Sequence, residues 1–153
     1  MRLAAVAALV IAALALEWLE PQAETTGEAA IRRALRTGAR IQLAGGVTQN
    51  RAEIELPSGV SDLEIHGDAS GSTVRASDHF RGRAVFVCER SNNVRFTNFA
   101  TDGNRDDLEQ RSGLRGFSTP FARFTPGNGI LAIGMASLTI SNVRFTNMPG
   151  FRF

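Results

Sequence analysis

One spacing of apolar residues occurs three times in this sequence, and it constrains the fold more than any other feature. In each copy, two large apolar residues stand seven positions apart, and a third follows two positions later. The copies are Leu56, Leu63 and Ile65; Val87, Val94 and Phe96; and Leu131, Leu138 and Ile140. Apolar residues two apart are typical of half-buried strands, and the glycine- and serine-containing spacers indicate bends. This repeated unit predicts stacked layers with Leu63, Val94 and Leu138 above one another.

The distances between the copies estimate the length of each layer. Leu63 and Val94 are 31 residues apart, Val94 and Leu138 are 44 apart, and a strand at Ile41 stands 22 residues before Leu63. A distance of 44 fits either two layers or one layer with an insertion. Because residues 104–128 contain little period-two pattern, we favour a loop insertion at about 104–128.

Two asparagines support this register. Asn98 follows Phe96 by two positions, and Asn142 follows Ile140 by two. Asparagine tolerates the left-handed backbone of tight bends, and stacked side-chain amides can hydrogen-bond. We therefore predict that Asn98 and Asn142 lie one above the other, with Gly67 in the same column. The alternative is two unrelated loop residues.

A short helix is predicted before the first strand, from Gly27 to Leu35. Its apolar stripe consists of Ala30, Ile31, Ala34 and Leu35, and its outward-facing residues are Arg32, Arg33 and Arg36. Gly38 ends the pattern, as glycine commonly does after a helix. Stacked layers expose an apolar end, so this amphipathic helix is predicted to cap the first layer.

Residues 1–23 are predicted to be a signal peptide or another N-terminal apolar segment. Arg2 gives a positive start, and Leu3 to Leu16 is an uncharged apolar run of 14 residues. This length fits the hydrophobic region of an export signal and is too short to span a membrane. The protein is therefore expected to be secreted or periplasmic. An uncleaved anchor and a helix against the first layer remain alternatives.

Charge and cysteine content narrow the functional classes. The formal net charge is only +2, and all 17 basic residues are arginines without a basic block or a nucleic-acid motif. We therefore expect no nucleic-acid partner, and no membrane contact apart from export. The single cysteine, Cys88, stands in an apolar run and is predicted to be a buried core residue.

The helix, the first strand and the later repeats together resemble the right-handed parallel β-helix (pectin-lyase-like) superfamily. The matching stretches are the helix, strand and glycine turn at 29–46, Leu-Glu-Ile-His-Gly at 63–67, Asn-Val-Arg-Phe at 93–96 and Asn-Gly-Ile-Leu at 128–131. The resemblance covers about residues 28–153. It implies an all-β fold, a right-handed parallel β-helix (solenoid) with an N-terminal capping helix. Residues 24–153 are then its N-terminal coils, incomplete at the C-terminus.

The resemblance implies an exported, carbohydrate-active protein, either a lyase or a hydrolase of acidic polysaccharide. It also allows a non-catalytic glycan-binding or surface structural protein, or an inactive truncated fragment, because one fold hosts many functions. Whether the chain is an enzyme stays open at this point. Calcium is the cofactor that the family analogy suggests.

One charged segment is the best local candidate for substrate binding, and its residues are Asp102, Arg105, Asp106, Asp107 and Arg123. Carboxylates in this number suit a hard cation or acid–base work on sugars. Arginines can hold uronate carboxylates by paired hydrogen bonds. The alternative is a solvated loop whose charges pair only with each other.

The last residues predict self-association. The sequence stops shortly after Pro149, where a further strand is expected. An uncovered strand edge is a template for pairing with another chain. We therefore expect copies of the chain to associate through an open C-terminal coil.

Overall fold

The computed structural model describes residues 27–112 and 128–148. Its elements, in chain order, are α1 (Glu28–Ala34), β1 (Arg40–Gln42), β2 (Gly46–Glu55), β3 (Ser61–His66), β4 (Ser72–Glu89), β5 (Asn92–Asp102), α2 (Arg105–Ser112), β6 (Asn128–Ile133) and β7 (Leu138–Thr146). The predicted signal segment at 1–23 and the candidate residue Arg123 lie outside the described residues. No helix in the described ranges is long and apolar enough to cross a membrane.

The seven strands of the described residues form one sheet. Its order is β1-β3-β5-β4-β2, with β6 paired to β4 and β7 paired to β5. Every strand pair is parallel. The connections from β1 to β3, from β3 to β5 and from β5 to β7 each skip a strand, so apolar residues far apart in sequence lie side by side.

The register predicted from the seven-residue spacing is confirmed. Leu63 pairs with Val94, and Val94 pairs with Leu138. The predicted distance for the earliest strand is wrong by two residues, because Ile41 pairs with Ile65. Both alignments keep apolar residues on the same face, since a shift of two preserves the alternation of a strand.

The predicted right-handed parallel β-helix solenoid is wrong. The strands do not form separate solenoid faces, because β4 and β5 pair directly through Thr73 with Ala100, and through Arg75 with Asp102. This pairing joins the two strand groups into one curled parallel sheet, a half-barrel. The three predicted bends are present, between β2 and β3, between β4 and β5 and between β6 and β7. Strand β4, however, runs for 18 residues and is much longer than the predicted short strands. Apolar spacing specifies which residues pair, but it leaves open how neighbouring groups of strands join.

The core is one cluster of buried apolar side chains, most of them from the strands of the sheet. Phe86, Phe96 and Phe99 form an aromatic cluster with ring centroids 5.2–6.2 Å apart. Cys88 is buried beside them, as predicted, and burial raises the pKa of its thiol to about 12. A thiol with so high a pKa carries almost no reactive thiolate at neutral pH.

Helix α1 confirms the predicted helix and packs against β2. Ile31 and Leu35 are buried, as the apolar stripe predicts. Arg32 does not simply face solvent: its Nη2 donates to Glu28 Oε1 at 2.7 Å and to the carbonyl oxygen of Glu53 at 2.7 Å. Arg32 therefore fastens the helix to the strand below it.

The predicted column of bend residues is confirmed for the two asparagines. Asn98 and Asn142 both have a left-handed backbone, with φ of 60° and 52°. The Nδ2 of Asn142 donates to the Oδ1 of Asn98 at 3.0 Å. Gly67 is required for a different reason, since a Cβ on it would lie 2.0 Å from the carbonyl oxygen of Asn98.

Candidate binding cleft

The sheet brings two of the predicted site residues together around an arginine that the sequence did not single out. Arg75 on β4 lies beside the end of β5, with its Nε 3.8 Å from Asp102 Oδ2 and its Nη2 3.5 Å from Asp107 Oδ2. The same Nη2 donates to Asn104 Oδ1 at 2.6 Å. Arg75 thus joins the start of α2 to the sheet.

The other carboxylate oxygen of Asp102 also accepts hydrogen bonds. Its Oδ1 accepts from the backbone N–H of Asn104 at 2.8 Å and from Asn147 Nδ2 at 3.2 Å. Asp106 is exposed and Arg105 is half-buried. No group of three potential metal-ligating side chains occurs in the described part of the chain. The role of this segment in substrate binding stays a prediction. Its contacts are those of a structural element, because Arg75 with Asp102, Asn104 and Asp107 ties α2 to the sheet; we call these four residues the Arg75 clip.

A surface cleft of about 390 Å³ lies on the outer face of the sheet, beside this clip. Its lining residues are Gly46, Val47, Ser70, Gly71, Ser72, Thr73, Asn98, Phe99, Ala100, Asn142 and Arg144. We call this the outer cleft. Most of these side chains are small or carry a hydroxyl or amide group, so the cleft is shallow and polar with one apolar side.

Strand pairing explains how the floor of the outer cleft forms. Val47 pairs with Thr73, Thr73 with Ala100, and Ala100 with Arg144. These four residues therefore make one row across four strands, and neighbouring strands lie roughly 4.8 Å apart. Small side chains in the middle of the row keep the floor low, while Val47 and Arg144 stand at its two ends.

The asparagine pair forms one wall of the outer cleft. Asn142 donates to Asn98, and this bond fixes both amides beside the floor. A side-chain amide offers two donors and an acceptor with two lone pairs, so a single shared bond leaves most of this capacity for a ligand. The pair thus presents pre-oriented donors and acceptors.

The opposite wall is held in place by Asp68. Its Oδ1 accepts from the backbone N–H of Ser70 at 2.8 Å and from the Ser70 hydroxyl, and its Oδ2 accepts from Gln42 Nε2 at 3.0 Å. The hydrogen bonds from Ser70 hold the pKa of Asp68 below its usual value. The carboxylate therefore stays charged, and keeps its hydrogen bonds, into the acid range.

Arg144 is the single charged residue among the described residues that line the outer cleft. It is exposed, and no ion pair or hydrogen bond engages its side chain within the part of the chain that the structure describes. A guanidinium offers five donors in a planar fork that matches a carboxylate. The cleft is therefore positive at one end.

Sequence reasoning identified Asn98 and Asn142 as stacked bend residues but not as cleft residues, and it missed Arg144, Thr73 and Arg75. A signal for Arg144 was present, because it follows Asn142 by two residues and so shares the outward direction of its strand. Thr73 and Arg75 carried no such signal, since their place depends on the pairing of β4 with β5.

Comparison with known proteins does not assign the chain to a family. No family model, curated protein or solved structure matches the chain.

Proposed function

We propose that this protein binds an acidic polysaccharide in the outer cleft. The observation that carries the proposal is the placement of Arg144, an exposed arginine without a protein partner in the described residues, at the end of a polar row. A uronate carboxylate can accept two parallel hydrogen bonds from it.

The other cleft residues suit the rest of a sugar ring. Val47 is 62% exposed and offers an apolar surface for the C–H face of a pyranose. Thr73, Ser70 and the amides of Asn98 and Asn142 offer donors and acceptors for hydroxyl groups. A few fixed polar groups beside an apolar surface are the usual composition of a ligand site.

The geometry supports binding better than catalysis. Hydrolysis of a glycosidic bond ordinarily needs two carboxyl groups flanking the bond. Asp68, the carboxylate beside the cleft wall, accepts hydrogen bonds from Ser70 and Gln42, and Asp102 and Asp107 are engaged by Arg75. The proposed activity is therefore recognition of the polysaccharide without cleavage.

Isothermal titration calorimetry with polygalacturonate oligomers tests the proposal. We expect the R144Q variant to bind about 10- to 100-fold more weakly, because a charge-assisted hydrogen bond contributes about 1.5–3 kcal/mol. We also expect affinity for polygalacturonate to fall as salt increases, since exposed charges are screened.

The matched control is R36Q, which removes another exposed arginine, one that follows α1 and does not line the cleft. It should bind like the wild type, and a neutral β-glucan should bind weakly to all three proteins. Equal affinities of R144Q and wild type would remove Arg144 from the site. Release of reducing ends or unsaturated products would show catalysis instead.

A further inference from the structure

A second arginine stands on the outer side of the strands that carry the outer cleft. Arg95 on β5 is exposed, and within the residues that the structure describes no hydrogen bond or ion pair engages its side chain. Its neighbour on β3 is Glu64, whose carboxylate is already paired, with its Oε2 3.1 Å from Arg40 Nε. The guanidinium of Arg95 therefore keeps its donors for a ligand.

Strand pairing limits the distance between Arg95 and Arg144. Arg144 pairs with Ala100, which follows Arg95 by five residues on the same strand. Because strands rise about 3.3 Å per residue and neighbouring strands lie about 4.8 Å apart, the two Cα atoms are at most roughly 17 Å apart. The left-handed residues Asn98 and Asn142 bend the strands between them and shorten this distance. One ligand of several sugar units can therefore reach both arginines.

The row of paired residues between Arg95 and the outer cleft contains polar groups and no carboxylate. Its side chains are an amide, an imidazole and two hydroxyls: Gln42, His66, Thr97 and Ser141. The pair of asparagines that forms one wall of the cleft follows this row directly. Such groups can exchange hydrogen bonds with sugar hydroxyls, and they do not repel an anionic chain.

The opposite direction from Arg144 is unfavourable for an anionic chain. The next outward pair along β5 and β7 is Asp102 with Thr146, at the Arg75 clip. Three carboxylates there stand against two arginines: Asp102, Asp106 and Asp107 against Arg75 and Arg105. This surface carries a net negative charge, so a polyanion that binds Arg144 is directed toward Arg95.

We propose that Arg95 is a second carboxylate subsite, and that an acidic polysaccharide runs along β5 and β7 from Arg144 to Arg95. This inference rests on the proposed binding in the outer cleft. Two carboxylates of one chain then bind together, so affinity rises with oligomer length until both arginines are engaged. Outward side chains stand on the face of a sheet, so the path does not depend on what pairs with the edge of β7.

Isothermal titration calorimetry of the full chain with a length series of oligogalacturonates tests the subsite. We expect R95Q to bind oligomers that span both arginines about 5-fold more weakly than the wild type, because Arg95 stands outside the cleft and exposed charge pairs contribute modestly. R95Q should bind the shortest oligomers like the wild type. R144Q, in contrast, should weaken binding at every length.

The matched control is R81Q. Arg81 on β4 is also exposed, and it pairs with Ala52 away from the path, so R81Q removes the same charge without touching the subsite. We expect R81Q to bind every oligomer like the wild type. R95K keeps the charge but loses the planar fork, and it should recover part of the affinity for long oligomers. Circular dichroism checks that the variants fold.

Two results would overturn the second subsite: equal affinities of R95Q and R81Q for long oligomers, or an equal loss for R95Q at every length. The first is also the result expected for a chain that crosses the strands toward Val47. If R144Q weakens binding and R95Q does not, only the second subsite fails. If R144Q binds like the wild type, the cleft proposal fails and the second subsite fails with it.

Discussion

Replacing Phe96 by alanine is expected to lower the free energy of unfolding by about 3–5 kcal/mol. Phe96 is fully buried, and its ring centroid lies 5.2 Å from that of Phe86 and 6.2 Å from that of Phe99. Truncation removes these aromatic contacts and leaves a cavity that the paired strands around it cannot fill. A domain of this size is stable by about 5–15 kcal/mol, so the loss is a large share of the total.

Urea denaturation followed by circular dichroism measures this loss. The matched control is R95A, because Arg95 precedes Phe96 on β5 and points to solvent. We expect R95A to change the free energy of unfolding by less than about 0.5 kcal/mol. A loss under 1 kcal/mol for F96A would mean that the aromatic cluster is not the centre of the core.

The sequence predicted the pairing of strands well because pairing follows from side-chain alternation. Leu63, Val94 and Leu138 must share a buried face, and a slip by one residue would turn each of them to solvent. The asparagine column was predictable for a related reason, since a left-handed bend accepts few residue types. These constraints act on individual positions, and a sequence displays them directly.

The overall shape was not predictable in this way. Whether the sheet forms a solenoid or a half-barrel depends on the direct contact of β4 with β5, through pairs such as Arg75 with Asp102. Neither residue carries a periodic apolar signal, because both face outward. The apolar spacing was therefore a sound guide to strand register, and the expectation of a solenoid was wrong about how the sheet closes.

The candidate sites likewise divide into features that the sequence displays and features that depend on the pairing of strands. The charged segment at 102–107 was conspicuous in sequence, yet two of its three carboxylates, Asp102 and Asp107, are engaged by Arg75, which lies 27 and 32 positions before them. The outer cleft was inconspicuous because small and polar residues line it. A binding surface on a sheet arises from residues in one row across several strands, and this row is visible only once the register is known.

Substituting Gly67 is expected to destabilise the protein by about 3 kcal/mol or more. A Cβ at this position would lie 2.0 Å from the carbonyl oxygen of Asn98 and 3.0 Å from the Cβ of Phe99. Backbone atoms cannot rotate away as a side chain can, so β3 and β5 must separate, and overpacking of this kind costs about 1–3 kcal/mol even where side chains can yield. Urea denaturation of G67A, compared with wild type, gives the change in the free energy of unfolding.

Substitution of Gly59 is the control that distinguishes two causes of destabilisation, a steric clash of the new Cβ and an unfavourable backbone conformation. Its φ of +79° is left-handed, but a Cβ there would meet nothing within 4 Å. Asparagine visits the left-handed region readily, so G59N should cost less than about 1 kcal/mol. The same residue cannot relieve a clash with backbone, so G67N should be at least as destabilising as G67A. If asparagine were tolerated at both positions, β3 and β5 would not be in the close contact that places Asn98 beside the outer cleft.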